Sequence, residues 1–334
     1  MHRPVSRRRF VARGAAALGA ALGGEWLGAG LGTAAAQAPA QPSSRVAHLS
    51  RPDVWEAGLR LSARALLDLV DRGVQHATGA ASADKAWQSL FAADDAVAIK
   101  VNTSAGPQLS THQALVDCLE QRLCDVGVNP DSIYVYDRTS DVLLACGYEV
   151  NYDGPGVKRG GIGDYWTTDP KRQGAFEGRV ANLVNLVSAI INVPILKDSP
   201  VGITISLKNH FGTIERPEAC HPNGCEPYIA DVNALPEIKS RQRLVVCDTL
   251  TACFEGGPAC DARYTWRDNG VIVGTDPVAV DTVGARIIDA KRTARGLPTL
   301  AEVGRPPRML ESAAARGVGT NDLARIEMLE ETEA

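Results

Sequence analysis

Residues 269–284 read NGVIVGTDPVAVDTVG, a stretch that passes from a buried strand directly into a helix. The apolar run at 271–273 is typical of a strand that is covered on both faces. In the pair that follows, Asp276 is suited to the N-cap of a helix and Pro277 to its first position. The stretch therefore predicts a strand at 271–273 and a helix from Asp276 to about Arg292, which is a unit of an α/β fold.

The same alternation of apolar runs and helical patterns continues through most of the chain. Further strands are predicted at 96–101, 133–136, 189–193 and 244–247, and helices at 54–77, 115–126 and 307–316. Strands that alternate with helices favour a mostly parallel sheet with helices on both faces. We expect one large α/β domain over residues 53–322, preceded by a flexible leader at 39–52 and followed by a C-terminal tail at 323–334.

The first 38 residues have the features of a twin-arginine signal peptide. The sequence SRRRF at 6–10 is followed by a weakly apolar run at 15–31 and by small residues at 33–38, where a signal peptidase could cut. These features predict export by the twin-arginine translocase and a periplasmic location. Because this route carries proteins that have already folded, it suggests that a metal or an organic cofactor is inserted before export.

Composition excludes several classes of partner. The formal net charge is −4, and the part of the chain after the arginine-rich residues 1–38 is more acidic still. An acidic protein is poorly suited to nucleic acid or to an anionic membrane surface. No later run reaches the roughly 18 apolar residues that a membrane span requires. Apart from the translocase, the expected partner is a small-molecule ligand.

Three lysines are candidates for chemistry. Arginine outnumbers lysine 27 to 8, and Lys100, Lys197 and Lys208 lie within apolar sequence. Burial lowers the pKa of a lysine amine, which can then act as a base, a nucleophile or an anion-binding group. The alternative is that each side chain extends from the end of a strand or helix to water. Lys208 is the strongest candidate, because the polar residues Asn209 and His210 follow it.

Polar residues also follow several of the predicted strands. They are Lys100 and Asn102 after the first strand, Lys197 after 189–193, Asp248 after 244–247, and Asp276 after 271–273. If the strands are parallel, these groups gather at the carboxyl edge of the sheet, where open α/β sheets bind ligands. Asp276 has the alternative role of a helix cap. Asp281, within the following helix, is either a buried acid with a partner or a solvated residue.

The segment 208–225 holds the densest set of chemically active side chains. Cys220, His221 and Cys225 could bind a metal ion, or the two cysteines could form a disulfide, which an exported protein allows. His210 or His221 could also be a metal ligand or shuttle protons at neutral pH. The chain contains no Cys-x-x-Cys, so the ordinary zinc and iron–sulfur spacings are absent. Cys253 and Cys260 bracket a glycine-rich turn and suggest a second disulfide.

An ordered set of motifs resembles the domain of unknown function 362 family. The motifs are VAIKVN at 97–102, LKNHFGTI at 207–214, His221, YIADVNALPEIKSRQRLVVCD at 228–248, GGP at 256–258 and NGVIVGTDPVAVDTVG at 269–284. The resemblance covers about 90–320. Some members of the family are fused to ferredoxin-type modules and many carry twin-arginine signals. This chain lacks the ferredoxin cysteines, so the resemblance does not imply an iron–sulfur cluster.

A more distant similarity is to the N-terminal domain of nickel-dependent lactate racemases. In that family a lysine, followed later by a histidine, holds a covalent nickel–pincer cofactor, and Lys208 and His221 stand in this order here. The resemblance implies where a ligand lies rather than which ligand it is. We expect an enzyme that binds a cofactor or an anionic small molecule, with Lys208, His221 and Asp281 as catalytic candidates. The alternative is a non-catalytic protein that binds a metal or cofactor or serves a redox assembly.

Overall fold

The computed structural model describes residues 43–57, 60–163, 165–259 and 261–332. The strands are β1 (Ser44–Ser50), β2 (Val97–Val101), β3 (Ile133–Asp137), β4 (Lys158–Gly161), β5 (Lys171–Gln173), β6 (Phe176–Gly178), β7 (Ala189–Val193), β8 (Ile195–Ser199), β9 (Gly202–Thr204), β10 (Gln242–Cys253), β11 (Thr265–Trp266), β12 (Gly270–Gly274) and β13 (Ile326–Thr332). The helices are α1 (Ala63–Thr78), α2 (Ala83–Leu90), α3 (Gln113–Asp125), α4 (Ser140–Ala145), α5 (Leu183–Leu186), α6 (Ser206–Asn209), α7 (Tyr228–Ala234), α8 (Pro236–Lys239), α9 (Pro277–Ala294) and α10 (Met309–Ala315).

A mixed, mostly parallel sheet forms the centre of the molecule. Its main path runs β13-β1-β12-β10-β7-β2-β3-β4, while β8 and β11 also pair with β10 and β9 pairs with β8. Along the main path only β12 is antiparallel to its neighbours, β1 and β10. Helices cover both faces, with α1 to α4 on one and α5 to α10 on the other, and each face has its own apolar core. The predicted fold class is therefore confirmed.

The opening motif folds as its sequence predicts. The run at 271–273 lies within β12, and α9 begins directly after Asp276. The Asp276 carboxylate accepts hydrogen bonds from the backbone N–H groups of Val278 and Ala279 at 2.9 and 3.0 Å. An aspartate at this position stabilises the helix because the first N–H groups of a helix have no partner within it.

Both predicted domain boundaries need correction. Residues 44–50 were expected in a flexible leader, but they form β1, which lies between β12 and β13. Residues 326–332 were expected in a tail, but they form β13, which pairs with β1 in parallel. Both strands are stabilised by partners that are distant in the sequence, so local composition does not reveal them. The predicted export signal lies outside the described residues. Within those residues, no helix is long and apolar enough to cross a membrane.

Candidate functional site

A cavity of about 520 Å³ lies at the carboxyl edge of the sheet, beside the ends of β2 and β3. Its polar lining includes Lys100, Asn102, Asp137, Arg138, Lys208, Asn209 and His221, and its apolar lining includes Val142, Phe211, Pro217 and Pro258. Of the residues singled out in the sequence, the structure brings Lys100, Asn102, Lys208, Asn209 and His221 to this cavity. A pocket of this size, with mainly apolar walls and a few convergent polar groups, is typical of a small-molecule site.

Lys100 lies on the floor of this cavity as half of a buried ion pair. Its ammonium donates to Asp137 Oδ1 at 2.8 Å, to Asn209 Oδ1 at 3.2 Å and to the Val101 carbonyl at 2.5 Å. These bonds use all three of its N–H groups, and the side chain is only 1% exposed. Burial lowers the pKa of Lys100, and the charge of Asp137 opposes that shift. Lys100 therefore has no donor left for a ligand.

Asp137 is equally well paired. Its Oδ2 accepts from the backbone N–H and the hydroxyl of Thr103 at 2.8 and 2.7 Å, and its Oδ1 also accepts from the Arg138 N–H at 2.8 Å. Burial works to raise the pKa of Asp137, but the Lys100 ammonium and the Thr103 hydrogen bonds hold it below its usual value. The Lys100–Asp137 pair thus adds no net charge to the cavity.

A chain of amides leads from Lys100 into the core. Because an ammonium can only donate, Lys100 fixes Asn209 Oδ1 as an acceptor, so Asn209 Nδ2 donates to Asn192 Oδ1 at 2.8 Å. Asn192 Nδ2 in turn donates to Gln242 Oε1 at 2.9 Å, which also accepts from His210 Nε2 at 2.7 Å. Burial lowers the pKa of His210 to about 4, so its ring is neutral. His210 is absent from the cavity lining. It supports the floor of the cavity indirectly, through its hydrogen bond to Gln242.

Lys197 lies beneath Asn102. Its side chain is fully buried, and its ammonium donates to Asn102 Oδ1 at 2.9 Å. Asn102 Nδ2 then donates to Asn209 Oδ1 at 3.0 Å, which connects Lys197 to the floor of the cavity. Burial lowers the pKa of Lys197 to about 8. Within the described part of the chain, no carboxylate lies within hydrogen-bond distance of this ammonium.

Lys208 differs from both of these lysines. It lies half-buried on the short helix α6, and its ammonium is 5.9 Å from the centre of the Phe211 ring. Among the described residues it has no hydrogen-bond acceptor and no ion-pair partner. Burial lowers the pKa of Lys208. This side chain therefore presents a free amine to the cavity.

Asp281 supports Lys208 from behind. It lies on α9, and its carboxylate accepts from the backbone N–H groups of Ser206 and Leu207 at 2.8 and 3.0 Å and from the Ser206 hydroxyl. These groups begin α6, the helix that carries Lys208. Burial raises the pKa of Asp281 to about 7 against the effect of those bonds. Asp281 is thus the buried acid with a partner, and it is a positioning residue, because it is absent from the cavity lining.

His221 lies at the rim, where its exposed ring packs edge-on against Phe211 with 5.7 Å between ring centres. Lys208 contacts the same aromatic ring. The cavity therefore has a free amine and an accessible imidazole that both contact Phe211.

A family model described as domain of unknown function (DUF362) matches residues 97–286, more than half of the chain. The chain belongs to the DUF362 family. No curated protein is significantly similar to it in sequence. Among solved structures, the lactate racemase apoprotein from Thermoanaerobacterium thermosaccharolyticum aligns with a TM-score of 0.39 and 9% identity. That alignment covers 75% of this chain and 58% of the racemase chain, so this chain spans less than two thirds of it.

Two of the predicted cavity residues lie elsewhere in this DUF362 protein. Asp276 was expected at the carboxyl edge, but β12 is antiparallel to β10, which brings Asp276 to the opposite edge, where it caps α9. Asp248 does lie at the carboxyl edge but faces the other side of the sheet, since side chains alternate along a strand. Its Oδ2 accepts from the backbone N–H and Nδ1 of His112, both at 2.8 Å.

The predicted disulfide between Cys220 and Cys225 is wrong, because both are free thiols. Both side chains are buried in the apolar core, and burial raises the pKa of Cys220 to about 11 and that of Cys225 above its usual value. Protonated thiols are poor metal ligands. Over the described residues, no group of three or more histidine, cysteine or acidic side chains could hold a metal ion. The 220–225 segment therefore does not fit the predicted metal site. Cys260, and with it the predicted Cys253–Cys260 disulfide, lies outside the described residues.

Sequence reasoning missed Asp137 and Gly212. Asp137 ends β3, which is the position that singled out Asp248, so the same rule could have found it. Gly212 closes over the ion pair. A Cβ added there would lie 2.7 Å from Asp137 Oδ1 and from Lys100 Nζ, so only glycine fits without displacing the pair. No local signal marks this requirement, because it depends on two distant strands.

Proposed function

We propose that this protein is an enzyme that binds an anionic small molecule or an anionic cofactor in the cavity, with Lys208 as its reactive or anchoring group. The observation that carries the proposal is the contrast between Lys208 and its surroundings. Around it, Lys100 and Asp137 neutralise each other, whereas the Lys208 amine has no partner in the described structure. An unpaired cation in a pocket is a site for an anion.

The environment of Lys208 also supports a chemical role. A half-buried amine whose pKa is lowered holds a larger fraction of its neutral, nucleophilic form near neutral pH than an exposed lysine does. His221 packs against the same Phe211 ring and is exposed to water, as the role of a proton shuttle requires. Lys208 would bind the ligand or form an adduct with it, and His221 would move protons at the rim.

The rest of the cavity would define the ligand's shape. Phe211, Val142, Pro217 and Pro258 offer apolar walls, so the ligand is expected to carry an apolar or aromatic body as well as its charge. Asn102 and Asn209 form the floor, and the lysines behind them fix the direction of their amides.

The proposed location is the periplasm, reached by the twin-arginine route. The support is the SRRRF sequence at 6–10 and the small residues that precede the folded domain. Fractionation of cells that express the full chain tests this, with a double variant Arg7→Lys and Arg8→Lys as control. Accumulation of the wild type in the periplasm and of the variant in the cytoplasm is expected. An equal distribution of the two would contradict the proposed route.

The test of function starts from the ligand that the protein itself retains. Protein purified from its native host is denatured, the released compounds are identified by mass spectrometry, and the main anion is returned to fresh protein. Turnover that is lost in Lys208→Ala supports an enzyme. Binding without turnover, lost in the same variant, would instead identify a non-catalytic carrier. Binding that is unchanged in Lys208→Ala would contradict the proposed site.

A further inference from the structure

The charges around the cavity do not balance. Asp137 is its buried carboxylate, and Lys100 and Thr103 already occupy both of its oxygens. Lys197 and Lys208 remain as two cations without a carboxylate within hydrogen-bond distance among the described residues. Arg138, at the rim, is engaged by the Glu215 carbonyl at 3.1 Å and by Glu218 at 3.7 Å. The interior of the site therefore has an excess of two positive charges.

Lys197 lies directly behind a residue of the cavity lining. Asn102 separates it from the cavity, since Asn102 lines the cavity and its Oδ1 accepts from Lys197 at 2.9 Å. That bond uses one of the three N–H groups of Lys197. In a buried site, a charge is screened far less than in water, so the charge of Lys197 can act on a ligand across Asn102.

A purely structural role explains Lys197 poorly. The position needs only one hydrogen-bond donor for Asn102 Oδ1, which also accepts from the Ser104 hydroxyl at 3.2 Å. A neutral side chain would meet that need without a buried charge, and an unpaired buried charge destabilises a fold. The charge itself is therefore the property that requires an explanation.

We propose that Lys197 and Lys208 together make the cavity selective for a ligand that carries two negative charges, over a singly charged ligand of the same shape. The inference rests on the proposed function, because it assigns the charge of the ligand at that same site. A doubly charged phosphoryl or phosphonyl group and a pair of carboxylates share this chemistry. The apolar walls would contact the body of the ligand.

The test compares aryl anions that differ mainly in charge. At about pH 7.5 phthalate carries two charges and most phenylphosphonate molecules do so as well, whereas benzenesulfonate and benzoate carry one. We expect titration calorimetry on the full protein to show at least about tenfold tighter binding of one dianion than of its singly charged match. Preference within the phosphonate and sulfonate pair would indicate a single doubly charged group, and preference within the phthalate and benzoate pair would indicate two carboxylates.

Variants separate this inference from the proposed function. Lys197→Met is expected to weaken binding of the preferred dianion about tenfold and that of its singly charged match much less, while the exposed Lys239→Met changes neither. Equal wild-type affinities within both pairs, abolished by Lys208→Ala, would overturn the inference and leave the proposed function intact. Binding of all four anions that is unchanged in Lys208→Ala, or no binding of any, would contradict the proposed function as well. The wild-type comparison decides the matter even if a Lys197 variant does not fold.

Discussion

Lys100 and Lys208 look alike in the sequence, since both are isolated lysines in apolar segments, yet they lie in opposite chemical situations. Lys100 is 1% exposed and donates three hydrogen bonds, one of them to a carboxylate. Lys208 is half-buried beside Phe211 and, in the described structure, donates none. An accounting of donors and acceptors therefore separates a lysine that holds the fold together from one that is available to a ligand.

The largest effect on stability is expected at Asp137, which carries the counter-charge of Lys100. Asp137→Asn keeps the size of the side chain but leaves the Lys100 ammonium buried without a counter-charge. We expect unfolding in urea to show a loss of about 3–5 kcal/mol, as for other broken buried ion pairs. Adding Lys100→Met should recover much of this loss, because the double variant no longer buries an ammonium without a counter-charge. A loss below about 1 kcal/mol in the single variant would show that the pair is not a structural unit.

A smaller change, of opposite sign, is expected at Lys197. Its pKa falls from 10.5 to about 8 on folding, so its charge destabilises the folded protein below pH 8 by up to about 3 kcal/mol. After loss of the Asn102 hydrogen bond is included, Lys197→Met should raise the free energy of unfolding by about 2 kcal/mol at pH 7. That gain should disappear as pH rises from about 8 to 10.5, because the amine then becomes neutral in both states. A gain that is independent of pH, measured against Lys239→Met, would contradict this account.

Asp281 positions Lys208, because its carboxylate holds the start of α6, the helix that carries this lysine. Asp281→Ala removes acceptors for three donors at the start of α6 and should cost about 1–2 kcal/mol near neutral pH. Because the pKa of Asp281 is raised to about 7, its contribution to stability changes with pH. The folded state retains a proton that the unfolded state has lost, so this group makes stability fall as pH rises from about 4 to 7. Parallel stability profiles of wild type and variant over that range would exclude a protonated Asp281.

The smallest effect on stability is expected at Lys208. Lys208→Ala removes a side chain with no bonded partner in the described structure, so the free energy of unfolding should change by less than about 0.5 kcal/mol. Guanidinium or urea unfolding checks this beside the Asp137 variant. A loss above about 2 kcal/mol would mean that Lys208 stabilises the fold after all, and would remove the distinction between the two lysines.

The strand-end rule places some of the cavity residues from the sequence, and it fails where distant partners decide. Lys100 and Asn102 lie at the carboxyl edge because β2 is parallel to both of its neighbours, whereas Lys208 and Asn209 reach the cavity on α6, which follows the antiparallel strand β9. Asp276 fails this rule, since its strand runs in the opposite direction, and nothing in residues 271–276 reveals that direction. The strand at 44–50 was equally hidden, because its two neighbours, β12 and β13, lie more than two hundred residues away.

The cysteines show another limit of sequence reasoning. The spacing of Cys220 and Cys225 is compatible with a bridge, a metal site or two buried thiols, and only the packing of the segment into the core selects the last. Spacing describes what side chains could do, and burial decides which of these possibilities is realised.

The central claim is that Lys208 carries a free amine while Lys100 does not. The most direct test is differential labelling, in which the native protein is methylated with isotopic formaldehyde and a mild reductant and each lysine is quantified by mass spectrometry. We predict that Lys208 reacts readily, that Lys100 does not react until the protein unfolds, and that phenylphosphonate or phthalate, whichever binds more tightly, protects Lys208 from labelling. Equal labelling of the two lysines, or a Lys208 that no anion protects, would contradict the account.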